Sequence, residues 1–108
     1  SRVFVETVDM VSGVGNDRAA AGGPAMRFHH LGVVVTDLAV LDYGSDGRLK
    51  VRSVHPGVDA RTVAENTGFR LDTSAAAITR TPDDEELRLI REVLDPRGFR
   101  DREVPARA

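Results

Sequence analysis

Two stretches rich in β-branched residues, joined by a short polar turn, most strongly constrain the fold of this chain. The first lies within residues 26–43 and consists of two apolar runs on either side of Asp37. The second is Leu49–Val54, and the intervening residues 43–47 (YGSDG) are typical of a tight turn. Loops of about two to five residues join antiparallel strands, so the pattern predicts an antiparallel hairpin.

Alternation along the second strand predicts which of its side chains share a face. Successive side chains of a regular strand point to opposite sides of the sheet. The pattern places Leu49, Val51 and Ser53 on one face and Lys50, Arg52 and Val54 on the other.

The amino-terminal third reads as a strand followed by a long glycine-rich loop. Residues 2–11 (RVFVETVDMV) predict a strand with apolar side chains on both faces, as in a sheet covered on both sides. Residues 12–24 then predict a loop. Its segment SGVGND lacks the G-x-G-x-x-G spacing of a dinucleotide-binding turn, and we expect no helix at its end. Glycines allow close approach of a ligand to backbone amides, so Gly13, Gly15 and Asn16 are the candidate substrate-binding residues.

A short helix over residues 60–66 is predicted from signals at both of its ends. Asp59 is a favourable N-cap, and Val58 and Val63 are spaced to form a hydrophobic staple. Gly68 stands where a left-handed C-terminal residue is expected, and Phe69 can fold back onto the last turn.

A second helix is predicted after residues 70–80, which show no clear period and are expected to be irregular or extended. Thr81 is the expected cap and Pro82 the first helical residue, with four acidic residues (83–86) complementing the helix dipole. The apolar residues Leu87, Ile90, Val93 and Leu94 follow a helical period. Residues 95–98 end the helix, and residues 99–108 are expected to form a loose charged tail after a domain covering residues 1–98.

Composition limits the classes of function. The 108 residues fit one domain, and the net charge of −2 argues against a nucleic-acid partner. Cysteine is absent, which removes disulfides, thiolate metal sites and a cysteine nucleophile. No apolar run approaches the ~18 residues of a membrane span, so we expect no membrane partner and a cytoplasmic location. The chain begins at Ser1 rather than at Met, and we expect it to be part of a longer protein.

Isolated polar residues offer no complete active site. Adjacent side chains of an extended segment diverge, so His29 and His30 are not expected to share a metal ion, and no metal site is predicted. His55 is expected to bond a local backbone carbonyl rather than to act on a substrate. Glu6 is interpreted as a solvent-facing carboxylate, and Asp37 as a residue that caps a bend or pairs with an arginine.

Three motifs, in this order and spacing, resemble the β subunits of class I CoA-transferases. Residues 36–40 read TDLAV, residues 56–58 read PGV, and residues 67–68 read TG at the end of the capped helix. The resemblance extends from RVFVETVDMVSGVG to TPDDEELRLIREVLDPRG and so covers nearly the whole chain. Within the family, SGVGND, HPGV and LDPRGFRDRE are most similar to the actinobacterial branch that opens steroid rings during cholesterol breakdown.

The resemblance implies an α/β fold with a sheet sandwiched by helices, of which this chain would supply the C-terminal half: strands and a hairpin followed by two helices. It implies an enzyme of an α and a β subunit, either transferring CoA between acids through a glutamyl thioester or hydrolysing a cyclic β-diketone-like CoA ester with a glutamate as base. It implies no cofactor, with CoA entering as part of the acyl-CoA substrate.

One departure from the family pattern concerns the catalytic carboxylate. The chain lacks the S-E-N-G segment that carries the nucleophile in β subunits of the transferases, and in the steroid branch the glutamate is expected on the α subunit. We therefore assign no catalytic residue to this chain. The leading hypothesis is a β-subunit fragment that works with an α subunit and the remainder of the β subunit. The alternative is an autonomous, non-catalytic binding or interaction module that reuses this half-fold.

Overall fold

A small mixed sheet carries the fold. In this computed structural model, which describes residues 4–103, the strands are β1 (Val34–Val35), β2 (Ala39–Tyr43), β3 (Leu49–Val54) and β4 (Ala77–Ile78). They lie in the order β1-β2-β3-β4, with the first two pairs antiparallel and β3 parallel to β4. The described helices are α1 (Asn16–Ala19), a 3₁₀ turn (Gly23–Met26), α2 (Ala60–Glu65), α3 (Asp84–Arg88) continued by a π-helical segment (Leu89–Leu94), and α4 (Arg100–Glu103).

The predicted hairpin is confirmed, with β2 and β3 as its strands. The region before the turn, however, contains two strands rather than one. At the bend between β1 and β2, the hydroxyl oxygen of Thr36 accepts hydrogen bonds from the amides of Leu38 and Ala39 at 3.1 and 3.0 Å. The side chain of Thr36 thus caps the bend at Asp37, and the predicted role of Asp37 itself stays a prediction.

The predicted faces of β3 are wrong at Val54. Val51 pairs with Leu41, and the next pair is Ser53 with Val40, so Arg52 is an extra residue in the ladder. Such a β-bulge changes the alternation of the strand. It brings Val54 to the buried face with Val51, where both are at most 4% exposed. The core cluster is completed by Ala39, Leu41 and Val63 of α2.

Helix α2 begins and ends close to its predicted bounds. The side chain of Asp59 accepts a hydrogen bond from the Thr62 amide at 2.7 Å, which confirms the N-cap. Before it, the Val58 amide bonds the His55 carbonyl at 3.0 Å across Pro56 and Gly57, whose φ is +83°. Proline followed by a residue with positive φ defines a type II turn, and this turn stops β3.

The role predicted for Gly68 is wrong, because Gly68 is not in the left-handed region. Its amide instead donates to the carbonyl of Phe4 at 2.7 Å. A Cβ atom at this position would lie 2.8 Å from that oxygen. The glycine is therefore required for close approach of two backbones. Phe69 meets the ring of Phe4, with 6.3 Å between the ring centroids.

The segment after α2 forms more regular structure than predicted. Residues 70–80 lie along the edge of β3 that faces away from β2, and Ala77–Ile78 forms the parallel strand β4 there. Earlier in the same segment Lys50 and Asp72 form an isolated parallel bridge. A two-residue strand without alternation leaves no periodic signal in the sequence, which explains why it was not predicted.

Helix α3 begins two residues later than predicted. Asp83, not Thr81, is its N-cap, and the Asp83 and Glu86 side chains bond each other's backbone amides in a capping box. Acidic residues fill the first turn, as predicted. The helix continues in π-helical form to Leu94 and ends at Asp95. Its apolar residues remain exposed, Val93 to 58% and Leu94 to 76%.

The two ends of the chain also differ from expectation. Residues 4–11 contain no strand, while residues 2 and 3 of the predicted strand lie outside the described part. The predicted loop contains α1 directly after Gly15. Within the predicted tail, Arg100–Glu103 is a helical turn that Asp95 caps by accepting from the amides of Phe99 and Arg100. Residues 104–108 are not described, and the domain boundary stays a prediction.

No helix within residues 4–103 combines the length and apolarity that crossing a membrane requires.

Candidate functional site

A cleft of about 350 Å³ lies beside the glycine-rich loop. Gly15 and Asn16, two of the three predicted binding residues, line it where α1 begins. Gly13 does not line this cleft, and the space beside its Cα is open. The other lining residues come from α1, the segment before β1, the hairpin and the segment after α2; they are Asp17, Leu31, Tyr43, Gly47, Arg48, Leu49, Phe69 and Arg70. The cleft therefore has an aromatic and apolar wall and two guanidinium groups.

A second cleft, of about 620 Å³, adjoins the first. It shares Arg48, Leu49 and Arg70 with the first cleft. Its remaining lining is mainly polar or charged; these residues are Gly44, Asp46, Lys50, Leu71, Asp72, Thr73 and Ser74. The shared arginines thus stand between an aromatic compartment and a polar compartment.

The acids of the second cleft are already engaged locally. Asp72 accepts from the amide and hydroxyl of Ser74 at 2.9 and 2.7 Å. These hydrogen bonds, and more weakly the charges of Lys50 and Arg70, hold the pKa of Asp72 below its ordinary value. Asp46 accepts from the amide of Arg48 at 3.0 Å. Both carboxylates therefore stabilise turns in the walls of the cleft.

The motif segments that carry the family resemblance meet at one end of the sheet. His55 Nε2 donates to the carbonyl of Thr36 at 2.9 Å, which confirms the structural interpretation of this histidine. Its Nδ1 lies 3.1 Å from the hydroxyl of Thr79, which in turn bonds Ser53 at 2.7 Å. This network joins the β1–β2 bend, the end of β3 and the residue after β4, at the end of the hairpin opposite the turn that lines the clefts.

The other polar candidates lie away from the two clefts. Glu6 and His30 are exposed, and the Nε2 atom of His29 is buried without a hydrogen-bond partner among the described residues. Asp37 lies in the exposed bend before β2. Within residues 4–103, no group of three or more side chains is placed to hold a metal ion.

Sequence reasoning missed the arginines and the aromatic residues that line the clefts. Arg48 and Arg70 are distant in the sequence and become neighbours only because the segment after α2 pairs in parallel with β3. Tyr43 and Phe69 were interpreted only as parts of a turn and of a helix end. A signal was available only for the glycines, whose spacing marks the loop.

The comparisons with known proteins agree on one family. The cholesterol ring-cleaving hydrolase IpdB subunit of Rhodococcus jostii is 58% identical over 106 residues, covering 96% of this chain and 42% of that protein. The crystal structure of IpdAB from the same organism matches with a TM-score of 0.88 at 56% identity, over 98% of this chain and 44% of that chain. Glutaconate CoA-transferase from Acidaminococcus fermentans matches with a TM-score of 0.77 at 32% identity, over 88% of this chain and 38% of that chain. No protein-family model matches the chain.

This chain belongs to the CoA-transferase family, in which it is part of a β subunit. The predicted resemblance and the predicted α/β fold class are thereby confirmed. The chain spans 42% of the length of the curated ring-cleaving relatives that it matches.

Proposed function

We propose that this chain is part of the β subunit of an enzyme that acts on acyl-CoA thioesters and opens a ring of a steroid-derived CoA ester by hydrolysis. The observation that carries the proposal is the difference in identity: 58% over 106 residues to a ring-cleaving hydrolase subunit against 38% over 65 residues to a glutaconate CoA-transferase subunit. Hydrolysis is therefore preferred over CoA transfer for the complete enzyme.

The reaction that we propose is hydrolytic cleavage of a cyclic β-diketone. Water, deprotonated by a glutamate of the α subunit, adds to one ring carbonyl. The bond to the carbon between the two carbonyls then breaks, and its electron pair is held as an enolate on the second carbonyl until a proton arrives. The products are a carboxylate and a ketone within one opened molecule, with the thioester intact.

The part of this chain in that reaction is binding and not bond breaking. Gly15 and Asn16 lie at the mouth of the aromatic cleft, and together with Gly13 they remain the proposed substrate-binding residues. The working assembly contains an α subunit and the remainder of the β subunit, located in the cytoplasm. It needs no cofactor, because CoA enters with the substrate.

The test uses the complete β subunit that contains this chain, purified together with its α subunit. A cyclic β-diketone CoA ester incubated in ¹⁸O-labelled water should gain one labelled oxygen, with the thioester intact, as measured by mass spectrometry. Acetyl-CoA with a free dicarboxylate serves as the transferase assay. Transfer of CoA to the acid without ring opening would overturn the proposed hydrolysis.

A matched pair of variants tests the binding residues. Asn16→Ala removes an amide from the mouth of the cleft, and we expect KM for the CoA ester to rise with little change in kcat, because only binding is affected. Ser45→Ala changes an exposed polar side chain in the neighbouring turn and serves as the control. Equal KM values in the two variants would exclude Asn16 as a substrate contact.

The alternative hypothesis, an autonomous binding module, predicts a different result for the purified chain. A purified 108-residue chain that is monodisperse, and that binds a ligand of its own while failing to associate with an α subunit, would overturn the proposed function.

A further inference from the structure

Two arginines from separate parts of the chain, Arg48 and Arg70, line the same two clefts. Lys50 of β3 bridges in parallel with Asp72, and the Val51 amide donates to the Asp72 carbonyl at 2.8 Å. Arg48 and Arg70 each stand two residues before a member of that bridge. The bridge brings the two segments together, and both arginines line both clefts.

Neither guanidinium group forms an ion pair within residues 4–103, although the charge of Arg70 acts on Asp72. Lys50 pairs with Asp42 at 3.7 Å, but none of the ion pairs among residues 4–103 includes Arg48 or Arg70. Asp72 is bonded to Ser74, and Asp46 to the backbone of the turn. Like charges that line one cleft repel each other, so an anion bound by both arginines would relieve this repulsion.

The surroundings of the arginines indicate the kind of anion. On the polar side stand Lys50 and the hydroxyls of Thr73 and Ser74, which can donate to phosphate oxygens. On the other side stand the rings of Tyr43 and Phe69, which offer flat apolar surface to an aromatic base. Guanidinium groups match phosphate in a bidentate geometry that a single ammonium does not provide.

We propose that Arg48 and Arg70 together bind the phosphate groups of a nucleotide-bearing ligand at the junction of the two clefts, with its base toward Tyr43 and Phe69. The identification of the natural ligand as an acyl-CoA rests on the proposed function, whereas the anion site rests on the arginine pair itself.

The first experiment measures binding of adenosine diphosphate to the complete complex by isothermal titration calorimetry. In the variant R48Q/R70Q, we expect the dissociation constant to rise about tenfold for each arginine lost, because charge-assisted hydrogen bonds are removed. The control is R61Q, which removes the same charge from an 85% exposed side chain on α2. We expect it to bind the nucleotide as the parent does.

Two results would overturn the proposal. One is unchanged affinity for adenosine diphosphate in R48Q/R70Q, with circular dichroism showing that the fold is retained. The other is dissociation of the subunits in R48Q/R70Q with unchanged nucleotide affinity, since the arginines would then contact acids of another part of the enzyme.

A second experiment separates this inference from the proposed function. The KM of R48Q/R70Q should rise for the CoA ester but not for the matching pantetheine ester, which carries no phosphate. Ring opening with unaltered KM for the CoA ester contradicts the anion site and leaves the hydrolase in place. Nucleotide binding that depends on the arginines, in a complex that opens no ring, contradicts the hydrolase and leaves the anion site in place.

Discussion

At the scale of single residues, the contact between Gly68 and the amino-terminal segment is unusually close. The Gly68 amide bonds the Phe4 carbonyl at 2.7 Å. A Cβ atom on Gly68 would also lie 3.2 Å from the Cα of Val5. Both neighbours are backbone atoms, which cannot move aside as the end of a flexible side chain can. The contact therefore ties residues 4 and 5 to the end of α2.

Gly68→Ala should accordingly destabilise the protein by about 1–3 kcal/mol, the usual cost of inserting atoms into a tightly packed place. Gly13→Ala is the matched control, because nothing lies within 4 Å of the added Cβ atom, and its effect should stay within about 0.5 kcal/mol. Urea unfolding of both variants measures the difference. Equal free energies of unfolding would contradict the close contact.

Residues show well where sequence reasoning succeeds and where it fails. The cap at Asp59 was predictable because its partner, Thr62, is three residues away. Gly68 was identified as special for the wrong reason, since its true partner, Phe4, is far away in the chain. Val54 was assigned to the wrong face because a bulge depends on pairing with β2 and leaves no local signal.

At the scale of elements, α3 depends on a network of charges around Glu86. Its carboxylate accepts two hydrogen bonds from the Arg80 guanidinium, at 2.7 and 2.8 Å, and one from the Asp83 amide at 2.9 Å. These bonds favour the charged form and lower the pKa of Glu86 from 4.5 to about 2. The network joins the segment after β4 to the first turn of α3.

A pH dependence follows from this lowered pKa. Because the folded value lies below the unfolded value, the contribution of Glu86 to stability is complete above pH 4.5 and is lost as the pH falls toward 2. Glu86→Gln should flatten the curve of stability against pH in that window. Glu6→Gln, at an exposed carboxylate, is the control and should leave the curve unchanged. Urea unfolding at a series of acidic pH values provides the measurement, and parallel curves for the parent chain and Glu86→Gln would refute the prediction.

Local elements were more predictable than the pairings between distant ones. The β2–β3 hairpin and α2 carry their signals within a few residues, and both were predicted. The parallel strand β4 and the position of Arg70 beside Arg48 depend on how residues 70–80 return to the sheet. For the same reason the sequence predicted the glycine-rich part of the candidate site but not its two arginines.

At the scale of the whole molecule, apolar surface is left uncovered. The buried core consists of five side chains within the described residues. The radius of gyration is 16.8 Å, against about 13 Å for a compact domain of 100 residues. Large exposed side chains include Val35 and Ile78, each about two-thirds exposed, and Leu94 at 76%. Exposed apolar surface of this kind marks sites of contact with other proteins. 

The isolated chain should therefore associate with itself, unless the rest of its enzyme is present. Light scattering should give a mass above the 11.7 kDa of one chain. The variant V93K/L94K, which places charges on the exposed face of the π-helical segment, should shift the mass toward the monomer. E92K adds positive charge to the same segment without removing apolar surface and serves as the control. A monomeric parent chain would contradict the prediction.

The sheet also has a consequence for the order in which the chain folds. Contacts of the β2–β3 hairpin are local, whereas Ser53 and Ala77 pair across a long intervening segment, and closing such a loop costs entropy before any contact forms. The hairpin should be formed in the transition state and β4 should add afterwards. Leu41→Ala should then slow refolding, whereas Thr79→Val should mainly accelerate unfolding, as stopped-flow kinetics at low protein concentration can measure. Comparable slowing of refolding by both variants would show that the parallel strand is already in place at the barrier. A chain that adds its parallel strand last leaves the edge of β3 open until β4 pairs with it, and an open sheet edge can pair with another strand.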